Sequence, residues 1–161
     1  MRAQCLAVLS IGFFITLLPG CASGVHQRRA DTIKDHAAAF YNHLEHGRVS
    51  AAIIENERIE ALAAELGQEI LQRRRHPADN EVDRDWAMLT TAREAAAENW
   101  LSLARYFVRT RRFEEARGTY QRILSSYSEP AFRQYRNQAQ IGLRDLDMIL
   151  DRAQLHDRSA G

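Results

Sequence analysis

The chain has 161 residues, of which 45% are hydrophobic and 27% are charged, a normal balance for a globular domain with its own core. With 22 basic and 21 acidic residues it is almost neutral, which argues against a nucleic-acid-binding protein, because that class needs a surplus of basic residues. Only three prolines and eight glycines interrupt the chain, which favours long helices over strands.

The N-terminal stretch predicts an export signal. Arg2 is followed by an apolar run from Cys5 to Leu18. This run is shorter than the roughly 20 residues that a helix needs to cross a bilayer, and it fits a secretory signal peptide.

The sequence LPGC at residues 18–21 closes the apolar run and resembles the lipobox of bacterial lipoproteins. The resemblance implies that residues 1–20 are removed and that Cys21 carries the lipid. Ala22 follows Cys21, where lipoproteins of the inner membrane commonly have Asp, so the resemblance implies an outer-membrane protein on the periplasmic face. An ordinary signal cleavage after Ala22 is the alternative.

Beyond the signal, the lipobox resemblance implies a lipidated tether over residues 21–30, and the sequence pattern predicts a helical domain over 31–155 and a frayed tail over 156–161. Asp31 or Thr32 begins the first helix, which Gly47 ends. A second helix runs from Ser50 to about Arg75. In both helices apolar residues recur every three or four positions, as on one buried helix face.

The second half of the chain predicts three more helices. Apolar steps of three and four run from Glu81 to Arg109 and include Trp86, with Arg93 interrupting the apolar face. A shorter helix follows from Phe113. Ser128-Glu129-Pro130 opens the last helix, whose polar outer side suits the end of a stack.

The hairpin from Trp100 to Pro130 carries a family resemblance. It reads Trp100-x2-Leu103-Ala104-x2-Phe107, then Ala116-x3-Tyr120, then Pro130, and this resembles the tetratricopeptide repeat. A weaker hairpin around Gly47 places Ala52 at the small position, His36 where Trp is usual and Asn56 where an aromatic residue is usual. We therefore expect an all-α fold of about five antiparallel helices, with hairpins like those of tetratricopeptide repeats and a terminal capping helix.

Catalytic and metal chemistry find little support in the sequence. His36 and His43 lie about 10 Å apart along a helix, at 1.5 Å per residue, so they do not share an ion. His43 and His46 would need further ligands. Glu57 and Glu60 read as solvated helix charges. We expect no enzyme, no metal site and no cofactor.

The resemblance implies a scaffold that binds a protein or peptide partner. Packing uses Trp100, Leu103, Ala104 and Phe107, so the groove side of that helix is predicted to be the stripe Glu98, Leu101, Arg105, Val108 and Arg109. An Arg–carboxylate pair with an apolar contact suits a bound peptide. The alternative is that the second or fifth helix covers the stripe.

The expected function is therefore a membrane-anchored adaptor in cell-envelope assembly or secretion, with no small-molecule substrate. The alternative is a permanent structural subunit of a larger envelope complex, with its surfaces buried in that assembly. The native size of the protein distinguishes these two hypotheses.

Overall fold

Five long helices make up the fold in the computed structural model, which describes residues 21–73 and 81–159. They are α1 (Cys21–Glu45), α2 (Val49–Arg73), α3 (Glu81–Arg109), α4 (Phe113–Ser126) and α5 (Arg133–Ser159), with a 3₁₀ turn at Pro130–Phe132 before α5. No strand occurs within these ranges. The predicted all-α fold of about five helices is confirmed.

The helices form two layers. Each helix packs against the next one in the chain, and α3 also contacts both α1 and α5. Thus α1, α3 and α5 lie side by side in one layer, while α2 and α4 cover them in the second. Short turns join α1 to α2 and α3 to α4, which makes the two helices of each pair antiparallel.

Two of the turns share one geometry. At the end of α1, the N–H of Arg48 donates to the carbonyl of His43, and Gly47 has a φ of 69°. At the end of α3, the N–H of Arg112 donates to the carbonyl of Phe107, and Arg111 has a φ of 59°. Both are left-handed helix caps of the Schellman type. The α1–α2 and α3–α4 hairpins therefore turn in the same way.

Most of the predicted core positions are buried. The core contains the hairpin residues Trp100, Leu103, Ala104, Phe107, Ala116, Tyr120 and Ile123, together with Ala52. Asn56 is also fully buried. It stands at the position where the tetratricopeptide-repeat pattern has an aromatic residue. Its amide donates to the carbonyl of Ala96 and accepts from Asn99, so its polar groups are satisfied inside the core.

The expected start of the first helix was wrong. Residues 21–30, predicted as a tether, are helical, because α1 begins at Cys21 rather than at Asp31 or Thr32. Arg29 donates two hydrogen bonds to Glu69 of α2, at 2.5 and 3.0 Å, which hold this part of α1 against the domain. The predicted frayed tail was also wrong in part, since α5 continues to Ser159.

The end of the predicted second helix, residues 74 and 75, lies outside the described residues. Helix α3 has the predicted bounds, but one of its apolar positions was misjudged. Trp86 is 40% exposed, although the apolar spacing placed it on the buried face. Helix α4 ends at Ser126, so it does not extend over the first turns of α3, where Trp86 lies.

Candidate functional site

A cleft opens between α1 and α3 at the end of the bundle where both helices terminate. It has a volume of about 410 Å³. Its walls come from the last turns of α1 and from the C-terminal half of α3, and its lining residues are Tyr41, Leu44, Glu45, Ser102, Arg105, Tyr106, Arg109 and Thr110. We call it the α1–α3 cleft.

Side-chain contacts set the shape of the α1–α3 cleft. The hydroxyls of Tyr41 and Ser102 lie 3.3 Å apart, which links the two walls. Arg105 donates to the side-chain oxygen of Gln138 at 2.5 Å and lies 3.7 Å from a carboxylate oxygen of Glu98. Arg105 is thereby directed along α3 towards α5.

Arg109, the second arginine of this cleft, has no counter-ion within the described part of the chain. It is exposed, and among the described residues it makes no hydrogen bond or ion pair. A guanidinium in this state offers a fork of N–H donors to a carboxylate. Tyr41, which is 39% exposed, adds an aromatic surface in the same cleft.

Only part of the predicted partner-binding stripe on α3 lies on the protein surface. Leu101 is fully buried and belongs to the core, so its assignment as a partner-binding residue was wrong. The physical reason is that α3 is flanked by both α1 and α5, which leaves less of its surface free than a helix with one neighbour has. Glu98 and Val108 are half-buried, and only Arg105 and Arg109 are exposed.

A second polar arrangement escaped the sequence analysis. The carboxylate of Glu60, predicted to be solvated, accepts hydrogen bonds from the Trp100 indole, the Tyr127 hydroxyl and Arg122, each at 2.8 Å. Burial, reinforced by the charge of Glu60, raises the pKa of the Tyr127 hydroxyl. The Arg122 guanidinium also stacks 3.9 Å from the centre of the Trp100 ring. Glu60 therefore joins α2, α3 and α4.

Arg93, which interrupts the apolar face of α3, also has a structural partner. It donates two hydrogen bonds to Glu129, at 2.5 and 3.0 Å, and lies 4.5 Å from the centre of the Phe132 ring. The hydrogen bonds from Arg93 lower the pKa of the Glu129 carboxyl, against a smaller effect of burial. This pair fixes the connection between α4 and α5 on α3.

A second cleft lies beside that pair. It has a volume of about 680 Å³ between α2, the start of α3 and the α4–α5 connection. Its floor includes Ala63, Ala64 and Gly67, and its walls include Leu71 and Trp86. The cleft exists because α2 and α3 extend beyond the end of α4.

The histidines of α1 that were considered as metal ligands contact different groups. His36 bonds the Glu55 carboxylate at 2.7 Å, and His46 bonds the backbone carbonyl of Asn42 at 2.7 Å. Burial raises the pKa of the Glu55 carboxyl, but the hydrogen bond from His36 and the charge and hydrogen bond of Arg58 together outweigh burial and hold that pKa below its usual value. Across residues 21–73 and 81–159, no three His, Cys, Asp or Glu side chains come together in a way that would hold a metal ion.

The proposed lipidation site begins the first helix. Cys21 is the first residue of α1, and residues 18–20 of the LPGC motif lie outside the described residues. Within the described part of the chain, no helix is both long and apolar enough to cross a membrane.

Comparisons with known proteins give no family for this chain. No family model, no curated protein and no solved structure matches it. The lipobox and the tetratricopeptide-like hairpin therefore remain resemblances, carried by the residues of this sequence alone.

Proposed function

We propose that the protein is a lipid-anchored helical adaptor that holds a protein or peptide partner at the periplasmic face of the outer membrane. The observation that carries the proposal is the α1–α3 cleft, in which Arg109 has no counter-ion among the described residues. The partner would act in envelope assembly or secretion, as lipoproteins with such helices do.

The chemistry of the cleft favours a peptide that carries a carboxylate. A guanidinium binds a carboxylate with two parallel hydrogen bonds. Tyr41 and Tyr106 supply flat apolar surfaces at the same site, and aromatic and Arg side chains are the common anchors of protein interfaces. The volume of about 410 Å³ suits one or two side chains of a partner rather than a whole folded domain.

Charge reversal in the cleft tests the binding role. Arg105→Glu with Arg109→Glu should abolish cross-linking of partners in cells while leaving the melting temperature nearly unchanged, because exposed substitutions usually alter stability by less than about 0.5 kcal/mol. The matched control is Arg144→Glu with Arg152→Glu, since both residues are exposed on α5 and neither lines the cleft. Equal capture by the two double variants would refute the proposed surface.

The anchor has its own test. Cells grown with labelled palmitate should label the wild-type protein, and Cys21→Ser should lose the label. Label that remains on the Ser variant, or a mature chain that starts at Ser23, would refute lipidation at Cys21.

A second candidate function is a permanent subunit of an envelope complex. It is favoured by Ile141, Met148 and Ile149 on α5, which are 49%, 51% and 38% exposed. A fixed partner in an assembly would cover such side chains. A stable monomer in detergent supports the adaptor, whereas a protein recovered only within a larger assembly supports the subunit.

A further inference from the structure

The outer side of α5 is less polar than the end of a helical stack requires. Ile141 is 49% exposed and Met148 is 51% exposed. They are seven positions apart, which is almost two helical turns, so their side chains lie in one line along the helix. Tyr135, Ala139 and Leu146 are buried on the opposite side of α5. We call the exposed line, with the charged residues beside it, the outer face of α5.

Four charged residues surround Met148 on the outer face, in an order that is the same from both directions. Arg and Asp precede Met148 by four and three positions, and Asp and Arg follow it by three and four. All four are exposed, and within the described part of the chain none makes a hydrogen bond or an ion pair; they are Arg144, Asp145, Asp151 and Arg152. By contrast, Asp147 in the same turns pairs with Arg117 of α4 at 2.9 Å.

We propose that the outer face of α5 binds the same face of a second copy of this chain, with the two helices antiparallel and a twofold axis at Met148. An isologous dimer requires one self-complementary patch on both copies. The dimer goes beyond the adaptor role and does not depend on it, because no residue of the outer face lines the α1–α3 cleft.

Helix geometry brings opposite charges together in this dimer. At about 100° per residue, Arg144 and Asp151 lie on one flank of Met148. Asp145 and Arg152 lie on the other flank. A twofold axis perpendicular to both helices places each flank opposite the same flank of the second copy. Arg144 then faces Asp151 of the second copy, with an axial offset of about 1.5 Å. Asp145 faces Arg152 of the second copy with the same offset.

The balance of charge favours a second copy over an unlike partner. Two positive and two negative residues leave the outer face without net charge, so a strongly acidic or basic partner gains no general attraction there. The chain's own α5 supplies an opposite charge for each of the four residues and an apolar side chain for Met148. Charged pairs beside an apolar seam commonly set the partner and the orientation of paired helices.

Helix dipoles favour the antiparallel orientation. Met148 lies near the middle of α5 (Arg133–Ser159), so two antiparallel copies overlap along most of the helix. The positive N-terminal end of each α5 then lies beside the negative C-terminal end of the other. One helix from each copy makes an interface of the weak class, below about 1,200 Å² in total. A dilute sample in detergent should therefore contain monomers, and covalent trapping is the suitable measurement.

Disulfide trapping at the twofold axis tests the dimer with the full chain in cells. Met148→Cys is treated with a mild oxidant and separated without a reducing agent. Packed helices bring Cα atoms on the axis within the roughly 4.4–6.8 Å that a disulfide spans. Met148→Cys should therefore give a band at twice the mass of the chain, which the wild type with its own cysteines should not give.

Gln134→Cys is the matched control for this cross-link. Gln134 is exposed on the same side of α5, but it lies 14 positions from Met148. In the antiparallel dimer it would be about 40 Å along the axis from its own copy, at 1.5 Å per residue. Gln134→Cys should therefore remain monomeric.

Charge reversal and its compensation test the pairing. Arg144→Glu with Arg152→Glu, made in the Met148→Cys chain, places Glu opposite Asp on both flanks and should remove most of the cross-linked band. Adding Asp145→Arg with Asp151→Arg restores opposite charges on both flanks with their signs exchanged, and should restore the band. Far-ultraviolet circular dichroism checks that the variants remain helical.

The outcomes are distinct. Absence of the Met148→Cys band, or an equally strong band from Gln134→Cys, refutes the antiparallel dimer. A band that survives charge reversal, or that compensation does not restore, refutes the charge pairing. A cross-link from position 148 to a different protein overturns the dimer and supports the permanent subunit. The charge-reversed chain should still capture partners through the α1–α3 cleft, so the dimer and the adaptor proposal fail separately.

Discussion

Gly142 of α5 faces the ring of Tyr120 on α4, and a side chain at position 142 tests how closely these helices pack. A Cβ built at Gly142 would lie 2.4 Å from Cζ of Tyr120, 2.6 Å from Cε1 and 2.7 Å from the hydroxyl oxygen. Tyr120 is only 4% exposed and belongs to the core. Gly142→Ala must therefore displace a packed aromatic ring.

The expected loss of stability in Gly142→Ala follows from these distances. Restoring an ordinary contact of about 3.5 Å requires the Tyr120 ring to move by about 1 Å, and overpacking of this kind costs about 1–3 kcal/mol. Replacing Gly by Ala within a helix also stabilises the helix by about 1 kcal/mol, because Ala has the higher helix propensity. Gly118→Ala is the matched control, because Gly118 is helical and exposed and its Cβ would meet nothing within 4 Å.

Urea denaturation of both variants measures the steric effect directly. Gly118→Ala should raise the free energy of unfolding by up to about 1 kcal/mol, and Gly142→Ala should fall below it by about 1–3 kcal/mol. Comparing the two variants removes the helix-propensity contribution that they share. Equal stabilisation by both would refute the close packing of α5 on Tyr120.

Stability measurements also test a buried side chain, a strained turn and an ion pair. Trp100→Ala should cost about 3–5 kcal/mol in urea denaturation, and a loss below about 1 kcal/mol would contradict the burial of this side chain. Arg111→Gly should stabilise the protein by about 1 kcal/mol, because Arg111 occupies a left-handed conformation that favours Gly; an unchanged melting temperature would contradict strain at this turn. The hydrogen bond from Arg29, opposed by burial, lowers the pKa of Glu69 below its usual 4.5. The pair of Arg29 with Glu69 then contributes fully to stability above the usual pKa of the carboxyl. This contribution is lost as the pH falls through the lower pKa of Glu69 in the folded state. Glu69→Gln should therefore lose less stability than the wild type between about pH 5 and pH 3, and parallel pH profiles would refute the pairing.

The helices were predictable wherever one apolar face decided the structure. The bounds of α3 and the turn at Gly47 follow from local spacing and from the preference of Gly for a left-handed cap. The core positions of the Trp100 hairpin follow from the same periodicity. These signals act over a few residues, so they are visible in the sequence alone.

Long-range contacts account for the misjudged positions. The start of α1 depends on the pair of Arg29 with Glu69, which are 40 residues apart. Leu101 is buried because α3 has neighbours on both sides, and the periodicity of one helix does not reveal how many helices surround it. Trp86 is exposed because α4 stops at Ser126, a length that the sequence of α3 does not specify.

Of the residues that line the candidate site, only the two arginines were predictable from the sequence. Arg105 and Arg109 fall in the α1–α3 cleft, as the choice of the non-packing side of α3 implies. Tyr41 and Glu45, on the opposite wall of the cleft, were not identified, because their placement depends on the packing of α1 against α3. The acceptor role of Glu60 depends likewise on three partners at distances of 40 to 67 residues along the chain.

The most direct test of the adaptor is cross-linking in cells from within the α1–α3 cleft. A photoreactive residue at Ser102, which lines the cleft, should give a discrete cross-linked partner that disappears with Arg105→Glu and Arg109→Glu. The same residue at Gln121, exposed on α4 outside the cleft, should not give it. Cross-linking that is equal from both positions, or that survives the charge reversal, would contradict the proposal that the cleft holds the partner.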